Sequence, residues 1–313
     1  MNPHPNMREA YGLALLELGK VNRNVVALEA DLGKSTRSVL FQEAFPDRYF
    51  QMGIAEQNMA ATAAGLALVG KIPFIHSFAV FAAGRTFDQL RNTVSIPRLN
   101  VRICGSSCGL SDFGDGKTHQ SVEDVAIMRA LPNMTVLSPM DSIETVKMME
   151  CLIDWPGPVY IRINRSDLPF LYPLSEPYHI GKITKLRDGS DVVLLAAGVM
   201  VSRSLEAAGL LAEKGISARV FNVSTIKPIN RQGLIEAVTG ARAIVVSEEH
   251  NTVGGLGGAV LEALRTVSHA SVELIGIKDS FGMSAANYEE ILARFGLTAP
   301  DIAGAAMDLL RKS

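Results

Sequence analysis

The feature that most constrains this chain is a rhythm. Short, largely apolar runs at residues 25–28, 72–78, 101–104, 134–137 and 159–163 alternate with helix-length segments at 55–69, 81–94, 122–131 and 142–153. Runs apolar at neighbouring positions are strands covered on both faces, and strands separated by helices pair in parallel. The segment "DLPFLYPLSEPYHIGKITKLR", with three prolines and mixed polarity, interrupts the pattern as an extended connection. The rhythm then resumes: "DVVLLAAG", "SARVFNVS", "RAIVVSEE" and "SVELIGI" are strands, and "MVSRSLEAAGLLAEKG", "RQGLIEAVTG" and "GGLGGAVLEALRTV" are helices. The expected fold class is α/β, with two doubly wound parallel-sheet domains at 1–170 and 190–313 joined by a linker at 171–189.

At 313 residues, 48% of them hydrophobic, the chain can bury two cores. A net charge of -2 gives no electrostatic footprint for nucleic acid or an anionic membrane. The opening "MNPHPNMREAYGLALLELGK" lacks a basic stretch followed by an unbroken apolar one, so a cytoplasmic protein is expected. Cys104, Cys108 and Cys151 are an odd set without zinc spacing, and are expected to be reduced core thiols.

Two stretches invite a chemical reading. In "FQMGIAEQNMAATAAGLALVG" a lone carboxylate, Glu56, opens a helix almost free of other charge. An acid there can complement the helix dipole, or it can hold a proton in apolar surroundings such as Ile54, Met59 and Phe81, which would raise its pKa. Phe78, Phe81 and Phe87 follow at the end of a strand and the start of the next helix, where open α/β sheets bind ligands. Apolar walls with one convergent polar group suit a flat heteroaromatic ring. The second stretch, "EEHNTVGGLGGAV", places Gly255, Gly257 and Gly258 between strand and helix, but Val260 stands where a dinucleotide motif has its third glycine or alanine. A tight turn for close helix packing is the better reading, with a nucleotide-binding oxidoreductase as the rival.

The segments "GIAEQNMAATAAGLA", "IPFIHSFAVFAAGRTFDQLRN", "GDGKTHQSVEDVAIMRALPNMTVLSPMD" and "IRINRSDLP" resemble the pyrimidine-binding domain of transketolases, and the remainder resembles their C-terminal domain. The likeness spans nearly the whole chain, in the family's order, and is that of the C-terminal subunit of a split transketolase. It implies thiamine diphosphate as cofactor and transfer of a two-carbon ketol unit from a ketose phosphate to an aldose phosphate. Glu56 would then share its proton with the ring nitrogen of the aminopyrimidine, with Phe78 and Phe81 walling that ring and Asp31 near the cofactor at a subunit contact. Asp115 and His119 would line the sugar channel, and Arg8, Ser35 and Arg165 would hold the sugar phosphate. Ser121 to Asp124 has capping-box spacing and would steady that loop.

Two positions depart from the family pattern. Ser107 stands where many relatives have a histidine on the acceptor phosphate, and Lys117 stands where proline is usual before Thr118. The resemblance also implies Mg²⁺ on the cofactor's diphosphate, held by an Asp and Asn set after a strand. Gly114-Asp115-Gly116 follows a Ser/Gly/Asp loop without a suitable asparagine, so that half of the site is expected on a separate N-terminal, diphosphate-binding subunit, in an α2β2 assembly. Within the fold, a 1-deoxyxylulose-5-phosphate synthase or the β subunit of a 2-oxoacid dehydrogenase E1, both with a pyruvate-type donor, stays open, as does a non-catalytic remnant.

Overall fold

The computed structural model describes residues 4–312. Among the described residues twelve strands fall into two sheets. The first contains β1 (Val25–Glu29), β2 (Tyr49–Gln51), β3 (Ile72–Phe78), β4 (Arg102–Ser106), β5 (Thr135–Leu137) and β6 (Val159–Ile163), and the second β7 (Thr184–Arg187), β8 (Val192–Ala196), β9 (Ala218–Asn222), β11 (Ala243–Asn251) and β12 (Val272–Ile277). The remaining strand, β10 (Thr225–Lys227), leaves the second half of the chain and pairs antiparallel with β5, so the first sheet runs β10-β5-β6-β4-β3-β1-β2. The second runs β12-β11-β8-β9-β7, parallel except for β7 against β9. The α/β architecture in two units follows the sequence rhythm, and each sheet adds one antiparallel edge.

The apolar runs form strands because both faces are covered. Along β1, Val25 and Ala27 enter one core layer while Val26 and Leu28 enter the other. The same two layers continue through the second sheet, with Val192 and Leu194 on one side of β8 and Val193 and Leu195 on the other. The N-terminal helix Met7–Val21 is capped by Asn6, whose side-chain oxygen accepts from Arg8 N and Glu9 N. Its amide nitrogen donates to Arg165 O at 3.0 Å and Asp167 Oδ1 at 2.9 Å, which ties the helix start to the loop after β6.

A buried polar cluster joins the two units. Asp124 receives Arg162 Nε at 2.8 Å and Tyr160 OH at 2.8 Å, and Arg162 Nη2 donates to Glu249 O on β11. The capping box expected at Ser121 to Asp124 does not form: Glu123 precedes the helix Asp124–Ala130 without a side-chain cap, and the Asp124 carboxylate is taken by Arg162. Among the described residues no helix is long and apolar enough to cross a membrane. The three cysteines are free, with Cys104 and Cys108 buried.

Candidate functional site

The carboxyl ends of β1, β3, β4 and β6 deliver Asp31, Phe78, Ser107 and Arg165 to one edge of the first sheet. Glu56 reaches that edge from the N-terminus of the helix Glu56–Leu68. The turn that leads to it bends at Gly53, whose φ of 67° is in the left-handed region, and Gln51 Oε1 fixes the turn by accepting from Gly53 N at 3.1 Å and Asp31 N at 3.0 Å.

The Glu56 side chain is only 5% exposed, and Arg85 Nη1 donates to its Oε1 at 2.7 Å. Of the apolar neighbours expected for it, Ile54 is 74% exposed, so the surroundings are less dry than the sequence suggests. The Arg85 guanidinium also lies over the Phe81 ring, 4.0 Å from its centroid. A guanidinium with N–H donors therefore already fits against Phe81 while bonding Glu56. Phe78 and Phe81 are parallel within 16° at 6.3 Å, and His119 meets both rings edge-on, at 6.2 and 5.5 Å between centroids. Phe87 is half-buried against the core.

His119 leads to a second group. Its Nδ1 is 2.9 Å from Thr118 Oγ1, and His119 and Asp115 both lie within electrostatic reach of the buried Asp112. Asp112 Oδ1 accepts from Arg165 Nη1 at 2.5 Å. Arg8 Nη1 donates to Ser35 O at 3.1 Å, so Ser35 meets Arg8 through its backbone. Burial, followed by the positive charge of Arg165, lowers the pKa of Arg8, while burial raises that of Asp112 against the pull of Arg165. Glu56, Phe78, Phe81 and His119 thus form one group and Arg8, Ser35, Asp112 and Arg165 a second, with His119 within electrostatic reach of Asp112. Asp115 and Lys117 are exposed on the intervening loop. Asp31 is exposed, with φ of 62°, and its backbone rather than its carboxylate is held, so it does not join either group.

The loops are set by buried acids that the sequence reading passes over. Glu249 Oε1 accepts from Leu110 N and Tyr288 OH, each at 2.8 Å, and its Oε2 accepts from Asn164 Nδ2 at 3.3 Å, which positions the neighbours of Asp112 and Arg165. Burial pushes the Glu249 pKa up to about 7. Gln120 Nε2 donates to Asp112 O and Met283 O, and Ala285 N donates to Phe113 O, so the C-terminal unit braces the loop that carries Asp115 and His119. Behind Asp31, Glu29 accepts from Ala30 N, Leu32 N, Thr36 Oγ1 and Ser38 Oγ.

The glycines after β11 are accounted for by packing. Glu248 accepts from Leu256 N at 2.6 Å and Gly257 N at 2.8 Å, so a protein carboxylate sits where a nucleotide phosphate would have to bind. A Cβ on Gly255 would lie 2.0 Å from Glu248 Oε2, and one on Gly257 would meet Leu274. Arg85 is the main site residue that sequence reasoning missed. Its signal was its place four residues after Phe81, near enough on a helical turn to cover that ring.

Comparison with known proteins identifies both halves of the chain. Residues 4–170 match the family model for the transketolase pyrimidine-binding domain, and residues 181–302 that for the transketolase C-terminal domain. A solved structure described as split gene transketolase, inactive beta4 tetramer, has a TM-score of 0.88 at 43% identity, covering 97% of this chain and 98% of that one. A Methanocaldococcus jannaschii protein provisionally named transketolase C-terminal section is 42% identical over 313 residues, which cover 99% of this chain and 98% of its own. The 6-deoxy-6-sulfo-D-fructose transketolase subunit SqwH of Clostridium sp. (strain MSTE9) is 38% identical over 307 residues, 98% of this chain and 95% of that protein. With both family domains present in order, on a surface that pairs a carboxyl with aromatic walls, the chain belongs to the transketolase family, as the pyrimidine-binding and C-terminal portion of a thiamine-diphosphate-dependent enzyme.

Proposed function

We propose that this chain, joined to a separate diphosphate-binding subunit, transfers a two-carbon ketol unit from a ketose phosphate to an aldose phosphate of the pentose phosphate type, in the cytoplasm. The observation that carries the reading is the grouping of the Glu56 carboxyl with the Phe81 and His119 rings, with His119 within electrostatic reach of Asp112, which lies among Arg8 and Arg165. The first group suits a heteroaromatic ring and the second an anion, with hydrogen-bonding groups between them for hydroxyls.

When bound, thiamine diphosphate supplies the nucleophilic carbon and the electron sink that carbon–carbon cleavage needs. Glu56 holds a proton at the pyrimidine ring nitrogen, and Phe78 and Phe81 wall the ring. His119 and Asp115 bond the donor hydroxyls and move protons at the first substrate carbons. Arg8, Ser35 and Arg165 fix the far end of the sugar, and Asp31 lies beside the cofactor where the subunits meet. Mg²⁺ and the diphosphate belong to the partner, and α2β2 is the assembly. The name of the relative that carries a sulfo-sugar supports a shared ketol transfer with a variable terminal group.

The test is co-expression with the reading frame encoded beside this one, followed by thiamine-diphosphate- and Mg²⁺-dependent cleavage of xylulose 5-phosphate. Replacing Glu56 by Gln is expected to lower turnover by about 10²- to 10⁴-fold, the span of general acid–base catalysis, while cofactor still binds. Equal turnover in both proteins removes Glu56 from its role. Turnover with pyruvate in place of the ketose favours the synthase or dehydrogenase reading, and tight binding of cofactor and Mg²⁺ by the chain alone refutes the divided site.

A further inference from the structure

The pocket assigned to the sugar phosphate contains a negative charge of its own. Asp112 is 1% exposed and binds Arg165 through one oxygen; among the described residues no side-chain donor reaches its buried Oδ2, and the Asp115 N–H lies near the carboxylate without completing a hydrogen bond to that oxygen. Arg8 Nε is likewise buried without an acceptor. A carboxylate whose task is to prop a guanidinium commonly takes both prongs of the fork with both oxygens. Here one acceptor and one donor are left over in the same cluster, and each costs free energy until something fills it.

The charges frame what that something is. Asp112 is faced by Arg165 from the loop after β6, by Arg8 from the N-terminal helix, and by Asp115 and His119 from its own loop. Arg37, beyond Arg8, is neutralised by Glu9. Setting aside His119 and the solvent-exposed Asp115, the two guanidinium charges of Arg8 and Arg165 less the Asp112 carboxylate leave a single positive charge, which a phosphate dianion overshoots. A neutral balance needs one proton, and Oδ2 is an acceptor without a donor.

We propose that Asp112 makes anion binding proton-linked: a phosphate-ended sugar enters with one proton shared between Asp112 Oδ2 and a phosphate oxygen, while Arg8 Nε and Arg165 bond the remaining oxygens. The proton comes from bulk solvent, where a buffer acid releases it, and one O–H bond forms in the pocket. The burial of the carboxyl already favours its protonated form, and phosphate esters take up a proton near pH 6 in water, so both partners lie close to the exchange. The inference rests on Arg8, Ser35 and Arg165 being the anion pocket, and it makes Asp112 a specificity residue that favours anions able to carry a proton over permanent dianions.

Titration calorimetry of the full chain tests this with inorganic phosphate and with sulfate, at about pH 8, where phosphate is mainly a dianion, in two buffers of different ionisation enthalpy. Wild-type protein is expected to take up about one proton per phosphate and to prefer phosphate over sulfate by at least about tenfold. Asp112→Asn should abolish the uptake and close the gap by binding sulfate more tightly, whereas His119→Gln should keep the uptake. Uptake that persists in Asp112→Asn, or an equal loss of both anions in that variant, overturns the proposal, the second because Asp112 would then merely prop Arg165. Phosphate binding that is absent, or indifferent to Arg165→Ala, removes the pocket and this proposal with it. Binding lost in Arg165→Ala but without proton uptake in wild type overturns only the part given to Asp112, and that wild-type measurement stands even if the variant at Asp112 fails to fold.

Discussion

On the function proposed above, Arg85 holds in the free chain the place of the cofactor ring: its guanidinium lies over Phe81 and donates an N–H to Glu56. If cofactor takes the Glu56 carboxyl as proposed, its ring competes with Arg85 for the space over Phe81, and Arg85 is expected to swing aside. It has room to do so, being 48% exposed. Arg85→Ala is therefore expected to tighten thiamine diphosphate binding to the reconstituted complex by about threefold to tenfold, the combined scale of a cation–π contact and a half-exposed ion pair. Quenching of intrinsic fluorescence on cofactor titration measures it, and weaker binding in the variant would make Arg85 a support for the ring instead of a competitor. At this scale the sequence showed Glu56, Phe78 and Phe81 because a lone acid beside clustered aromatics departs from ordinary core composition. It did not show the bond between Glu56 and Arg85, which spans 29 positions and is a product of tertiary folding.

The helix Glu56–Leu68 buries Met59, Ala60, Ala63 and Ala64 and leaves Gln57, Ala61, Gly65 and Leu68 exposed along the opposite side. Ala61 and Gly65, four positions apart, are small enough to let another backbone approach closely, and among the described residues nothing outside the helix's own backbone comes within 4 Å of a Cβ placed on Gly65. Gly65→Trp should leave the thermal midpoint of the isolated chain nearly unchanged yet prevent co-purification with the diphosphate-binding subunit; an intact complex would place the subunit contact elsewhere. The long buried strands β3 and β6 were legible because five or more consecutive positions are covered, whereas β2, β7 and β10 were not. These are short edge strands of three or four residues with mixed polarity, and their pairing is decided by neighbours and not by local pattern. The segment 81–94 was read as one helix, but it breaks after Gly84 and resumes through a π-helical turn at Leu90–Ser95, with Thr86 Oγ1 bonded back to Ala82 O.

Across the whole molecule, stability is tied to protons on buried acids. Burial raises the Glu29 pKa from an ordinary 4.5 to about 7, so the folded state binds a proton that the unfolded chain has released. The stabilisation is full below about pH 4.5 and is lost as pH rises through 7. Glu29→Gln keeps the acceptor for Ala30 N and Leu32 N, and the hydroxyls of Thr36 and Ser38 can turn to accept from its amide. The thermal midpoint of this variant should therefore gain on wild type steadily from pH 5 to pH 8 and level off above; a constant difference would mean that Glu29 is ionised throughout. That two α/β units follow one another was legible in the sequence, because each repeats the strand and helix rhythm. That they interlock was not, since Arg162, Asp124 and Glu249 meet only after folding and β10 crosses to the other sheet. The crossing strand decides where this polypeptide can be divided. Separating the two halves at the proline-rich stretch would strip β10 from β5 and expose Thr135–Leu137 as a raw margin, open to pairing with any passing chain. The seam that looks natural on paper is the one along which the molecule does not come apart cleanly.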